Sequence, residues 1–135
     1  MKPLQRDNYA ALAELRYLGR KFLRFSKDFL QANAGLNPEQ YEALLAIKAF
    51  PSETLTILQL SERLQVKHHS AVNIVDRLVE RKLVRRQAGE EDRRERHLEL
   101  TEKGEQLIEQ LARVHYDELS KRSAEMIKAL KRLRE

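Results

Sequence analysis

With 135 residues, the chain has room for one domain built on one core. Its 41% apolar and 35% charged residues suit helices with wide solvated faces rather than a disordered coil. A net charge of +5 favours anionic partners, and the lack of cysteine excludes disulfides and thiol chemistry. No apolar run approaches the ~20 residues of a membrane span, and the stretch from Met1 to Asp7 lacks the apolar segment of a signal peptide. A soluble, cytoplasmic protein with no membrane partner is expected.

Three prolines and four glycines leave long helices as the main element. Tyr9, Leu12, Leu15, Leu18, Phe22, Phe25 and Phe29 recur at helical spacing, and Asn33-Ala34-Gly35 ends that stripe. A helix so long needs a companion, which is the carboxy-terminal helix of the same chain or of a second one. Asn37, Pro38 and Gln40 then form a capped start, with Leu36 and Tyr41 placed as a hydrophobic staple. Tyr41, Leu44, Leu45 and Ala49 give the apolar face, and Phe50-Pro51-Ser52 closes the helix.

Thr56 opens a short helix by the same grammar, with Gln59 at the third position and Leu55 and Leu60 as staple. After the turn Gln65-Val66-Lys67, a further helix buries Ala71, Ile74, Val75, Leu78 and Val79 and runs out near Lys82. The period then changes to two in Leu83–Gln87 and Arg96–Leu100, the pattern of strands, around a polar tip containing Gly89. Thr101 caps a last helical stripe, in which Ser120 marks an expected break between two helices.

A short helix, a tight turn, a longer helix and a charged hairpin make a winged helix-turn-helix, here from roughly Thr54 to Thr101. A major groove admits one helix, the preceding helix braces it, and the hairpin reaches the adjacent minor groove. At 100° per residue, the face opposite Ala71, Val75 and Leu78 carries His69, Asn73, Asp76 and Glu80, flanked by Ser70 and Arg77. His68, His69, Ser70 and Asn73 offer hydrogen bonds to base edges, and an asparagine amide pairs bidentately with adenine. Lys67 cannot accept a capping hydrogen bond and is assigned to a phosphate. Asp76 and Glu80 would be repelled by phosphate, so the helix is expected to tilt its second half away. Arg77 is assigned to a phosphate or to a carboxylate of the wing.

The wing sets Arg85, Arg86, Arg93, Arg94 and Arg96 against Glu90, Glu91, Asp92, Glu95 and Glu99, so its charges cancel. It is not a simple electrostatic hook. Asp92 reads as a carboxylate that holds one arginine, leaving Arg93 or Arg94 for the minor groove, whose negative potential attracts guanidinium.

These residues resemble the MarR family of bacterial regulators. Asp92-Arg93-Arg94 followed by Leu98-Glu99-Leu100-Thr101 is similar to the family's wing, and Val75-Asp76-Arg77-Leu78 with Lys82-Leu83-Val84 to its recognition helix and first wing strand. Gln65 and Lys67 stand where glycine and serine are frequent. The resemblance implies a mainly α single domain (1–135) with a small β-hairpin wing. In it, a DNA-binding lobe (37–101) is flanked by dimerisation helices (1–33 and 102–135). It further implies a homodimer, usually a repressor, on palindromic double-stranded DNA. It gives Asp92 and Arg94 the wing-stabilising and minor-groove roles. It also suggests release by a small aromatic ligand in a cleft near Leu12, Tyr17, Tyr41 and Phe50.

His68 and His69 point about 100° apart and have no cysteine beside them, so no metal is expected, nor any other cofactor. His97 and His115 read as isolated, partly buried or surface residues. No nucleophile paired with a base, clustered carboxylates or phosphate loop points to an enzyme. The alternative is a winged-helix protein-interaction module that does not bind DNA.

Overall fold

The computed structural model describes residues 1–50, 55–88 and 96–134. Seven elements follow one another: α1 (Arg6–Ala34), α2 (Pro38–Ala49), α3 (Ile57–Leu64), α4 (His68–Glu80), β1 (Val84–Ala88), β2 (Arg96–Leu100) and α5 (Glu102–Arg132).

The helix starts are local chemistry. Asn37 accepts from the Gln40 amide while the Gln40 side chain accepts from the Asn37 amide, and Thr56 with Gln59 repeats the reciprocal pair. Each box satisfies backbone donors that a helix start leaves open. The staple residues Leu36, Tyr41, Leu55 and Leu60 are all buried. Gly35 ends α1 in the left-handed region, at φ 62° and ψ 31°.

α1 and α5 run antiparallel. Asp7 at the start of α1 is ion-paired with Arg132 at the end of α5, and Ser26 meets His115 near mid-length. Ala11 and Ala129, 0% and 1% exposed, permit close approach of the two helices. The main core lies under α2, where Leu44, Leu60, Val75, Leu78, Leu83, Leu98 and Ile108 join residues of five elements and of the turn after α4. Burying a side chain of that size is worth about 1.5–3 kcal/mol.

Four expectations are corrected. The buried face of α1 is Ala11, Leu18, Ser26 and Leu30, with Leu15, Phe22, Phe25 and Phe29 half-buried, while Tyr9 and Leu12 are exposed. The stripe therefore serves two faces, and only one of them meets this chain. Likewise, Leu45 and Ala49 of α2 point to solvent. α5 passes through Ser120 unbroken: the flanking Glu118–Arg122 pair spans one turn at 2.9 Å, and the Ser123 hydroxyl bonds back to the Ser120 carbonyl. Without proline or glycine there, nothing ends the helix.

The fourth correction is His115, which is 3% exposed. Its Nδ1 lies 2.7 Å from the Leu111 carbonyl and its Nε2 2.8 Å from Ser26 Oγ. A carbonyl only accepts, so Nδ1 carries the hydrogen, and in the neutral ring Nε2 accepts from the Ser26 hydroxyl. The ring stacks on Tyr41 at 4.3 Å and meets Phe22, Phe25 and Phe29 edge-on. One histidine thus pins α5 to α1 and α2. The other isolated histidine, His97, is half-buried on β2 and forms a bridge with Thr56.

Candidate nucleic-acid interface

α3, a three-residue link and α4 form the helix-turn-helix. Ile57 through Leu64 bury Leu60 and Ser61, and Gln65 then takes the left-handed conformation at φ 54°. Glycine is the usual residue for that geometry. Here the Gln65 side chain donates to the Glu62 carbonyl at 2.6 Å, which supports the turn without it.

Ala71, Val75 and Leu78 are fully buried and fix which side of α4 faces outward. That outward side exposes His69, Asn73 and Arg77, with His68 exposed at the helix start and Ser70 half-buried. The polar residues expected to meet bases therefore lie together on the first two turns. Lys67 sits at the cap and makes no side-chain capping bond. The first amide groups of α4 are left without that acceptor, at the positive end of the helix dipole and beside a cation. Such an arrangement suits a phosphate.

The two strands pair antiparallel with Val84 opposite Leu100, Arg85 opposite Glu99 and Arg86 opposite Leu98. Residues that face one another share a side of the hairpin. Val84, Leu98 and Leu100 are buried against the core, so Arg86 stems from the inner face as well. Its guanidinium is ion-paired with Asp76 of α4, while Arg85 pairs with Glu99 on the outer face. The Asp76 charge that would repel phosphate is thereby neutralised, and helix and wing are joined. Sequence reading named both residues without pairing them, because no periodicity links a helix to a strand across a turn.

Asp92, Arg93 and Arg94 lie outside the described residues. Leu12, Tyr17, Tyr41 and Phe50 stand apart within one chain. Leu12 and Tyr17 are exposed and diverge by about 140° around α1. Tyr41 stacks on His115, and Phe50 lies 3.6 Å beneath the guanidinium of Arg63. Burial, and then the charge of Glu42, raise the Tyr41 hydroxyl above its usual 10.0. Among the described residues no group of three His, Asp or Glu side chains is placed to hold a metal ion, and no helix is long and apolar enough to cross a membrane.

Residues 34–95 match the family model described as the MarR family. No curated protein matches the chain. Among solved structures, AbsC, a MarR family transcriptional regulator from Streptomyces coelicolor, is similar over 90% of this chain and 81% of its own, at 21% identity and TM-score 0.74. A MarR mutant from E. coli aligns over 100% of both chains at 20% identity and TM-score 0.72. That E. coli protein complexed with operator DNA aligns over 87% of this chain and 86% of its own, at 24% identity and TM-score 0.69. The helix-turn-helix lobe thus matches the MarR family's model, and the chain shares the fold of these structures along its whole length.

Proposed function

We propose that this protein is a sequence-specific regulator of transcription that binds double-stranded DNA as a homodimer on a palindromic operator, acting as a repressor. The observation that carries the reading is α4: its apolar side is fully buried, and its first turns display Lys67, His68, His69 and Asn73 outward. Each recognition helix would enter one of two successive major grooves about 10–10.5 base pairs apart. Arg77, Arg93 and Arg94 add phosphate and minor-groove contacts, with Asp92 bracing the wing, on the strength of the family motif.

The apolar side chains that the chain leaves exposed support the dimer. Tyr9, Leu12 and Leu23 on α1 and Tyr116, Ile127 and Leu130 on α5 are each more than two-fifths exposed. Such clustering of large apolar residues on two paired helices marks an association face. Small aromatic compounds are the class to screen for release, and Leu12, Tyr17, Tyr41 and Phe50 the positions to vary.

Selection of bound duplexes from a random pool tests the function. An inverted repeat with half-sites one helical turn apart is expected, and Arg94→Ala should weaken its binding while the dimer persists. Absence of any duplex binding at low salt would favour the protein-interaction reading instead.

A further inference from the structure

The turn that follows α4 is tied to both long helices. Arg81, the carboxy-terminal cap of α4, donates from Nη2 to the Ala34 carbonyl at 2.8 Å and from Nη1 to the Gly35 carbonyl at 3.3 Å. These carbonyls end α1, whose last turn holds no basic residue of its own. A helix end leaves such acceptors open and partly negative, and Arg81 supplies the missing cation from another element.

The backbone of the same turn is held from the other side by the start of α5. The Arg81 carbonyl accepts from Lys103 Nζ at 3.1 Å, the Lys82 carbonyl from Thr101 Oγ1 at 2.6 Å, and the Leu83 carbonyl from the Thr101 amide at 3.0 Å. Three successive carbonyls are thus captured by residues 101–103. Lys82 is held in the left-handed region at φ 62°, uncommon for a residue with a side chain. Arg81 and Lys103 are exposed, where water competes for both groups, so these bonds add little to overall stability. Their consistent feature is geometric: every one joins the end of α4 to α1 or α5.

We infer that Arg81 is a positioning residue that fixes the orientation of α4 against the end of α1, so that the spacing of the two recognition helices in a dimer depends on it. This rests on the reading of α4 as the helix that enters the major groove. Arg81 lies ~18 Å along the helix axis from His69 and acts through α4 rather than on DNA.

The absence of cysteine makes site-directed spin labelling direct. Labels at Gln31→Cys on α1 and Arg77→Cys on α4, in labelled chain diluted with unlabelled chain, report how firmly α4 is placed against α1 as a distance distribution. A narrow distribution is expected in the parent, at least twofold broader in Arg81→Met and intermediate in Arg81→Lys, which keeps the charge but not the planar two-pronged donor. On DNA, the parent should prefer the selected operator over one lengthened by one base pair at its centre by tenfold or more. Arg81→Met should reduce that preference below threefold with an unchanged salt slope. A folded Arg81→Met with unaltered distances and spacing preference overturns the inference. So does a salt slope reduced by about one phosphate, which would make Arg81 a DNA contact. If Arg81→Met does not fold, Lys103→Met is expected to broaden the distances to a smaller degree, and no broadening overturns the inference. A parent that binds no duplex sinks the DNA reading alone, since the label distances still decide the role of Arg81.

Discussion

Arg86 on the inner face of β1 is ion-paired with Asp76 on α4. The pair is half-exposed, with side-chain exposures of 29% and 49%, so its contribution to stability is expected to be at most about 1 kcal/mol. Its larger effect is to cancel a negative charge on the outward side of α4 and to hold β1 beside that helix. In a double-mutant cycle, Asp76→Ala and Arg86→Ala should show coupling of about 0.5–1 kcal/mol in urea melts. Coupling near zero would mean that the two groups do not interact in solution.

Lys67 is predicted to exchange stability for binding. Replacing it by serine supplies the side-chain acceptor that α4 lacks and should stabilise the fold by about 1 kcal/mol. The same change removes a cation from the start of the recognition helix. Duplex affinity should fall, and the slope of log K against log salt should decrease by about one. Thermal melts and anisotropy titrations on one preparation measure both effects.

Two glycines should respond in opposite directions. A Cβ on Gly104 would lie 2.1 Å from the Leu83 carbonyl oxygen, a backbone atom that cannot move aside without displacing the turn after α4. Gly104→Ala should cost about 2–3 kcal/mol despite alanine's better helix propensity. A Cβ on Gly19 meets nothing within 4 Å, so Gly19→Ala should gain up to roughly 1 kcal/mol. Equal effects from the two substitutions would contradict the close packing of α5 on that turn.

Caps and the helix-turn-helix were legible because their chemistry is local: Asn37 with Gln40 and Thr56 with Gln59 act across three residues. The exposed face of α4 followed from Ala71, Val75 and Leu78 by helical geometry alone. Contacts between distant segments leave no such trace. Ser26 and His115 are 89 positions apart, and Arg81 is 47 from Ala34, so neither pair has a spacing to detect. The α1 stripe misled differently, since exposed Tyr9 and Leu12 share the helical period of the buried residues. Ser120 does not break α5, because serine has only a modest cost within a helix.

The cage around His115 sets two further expectations. His115→Ala should cost about 3 kcal/mol through the cavity left and the loss of the Ser26 partner. His115→Phe should recover part of that by restoring ring packing. Tyr41, whose hydroxyl is raised by burial and then by Glu42, adds a dependence on alkaline pH. The folded state holds that proton more tightly than the unfolded state. Its contribution is therefore complete below pH 10.0 and is lost as pH rises through the folded value. Tyr41→Phe should remove that component of the alkaline loss, as read from melts across the pH series.

That α4 reads duplex DNA is tested most directly by titrating the selected operator with the parent chain and with the pair Ser70→Ala, Asn73→Ala across a salt series. The parent should bind the operator at least 10³-fold more tightly than unrelated duplex. The double variant should lose most of that ratio while keeping its salt slope, because base contacts specify and phosphate contacts hold. An operator preference that survives the double substitution would contradict the assignment of the reading face to α4.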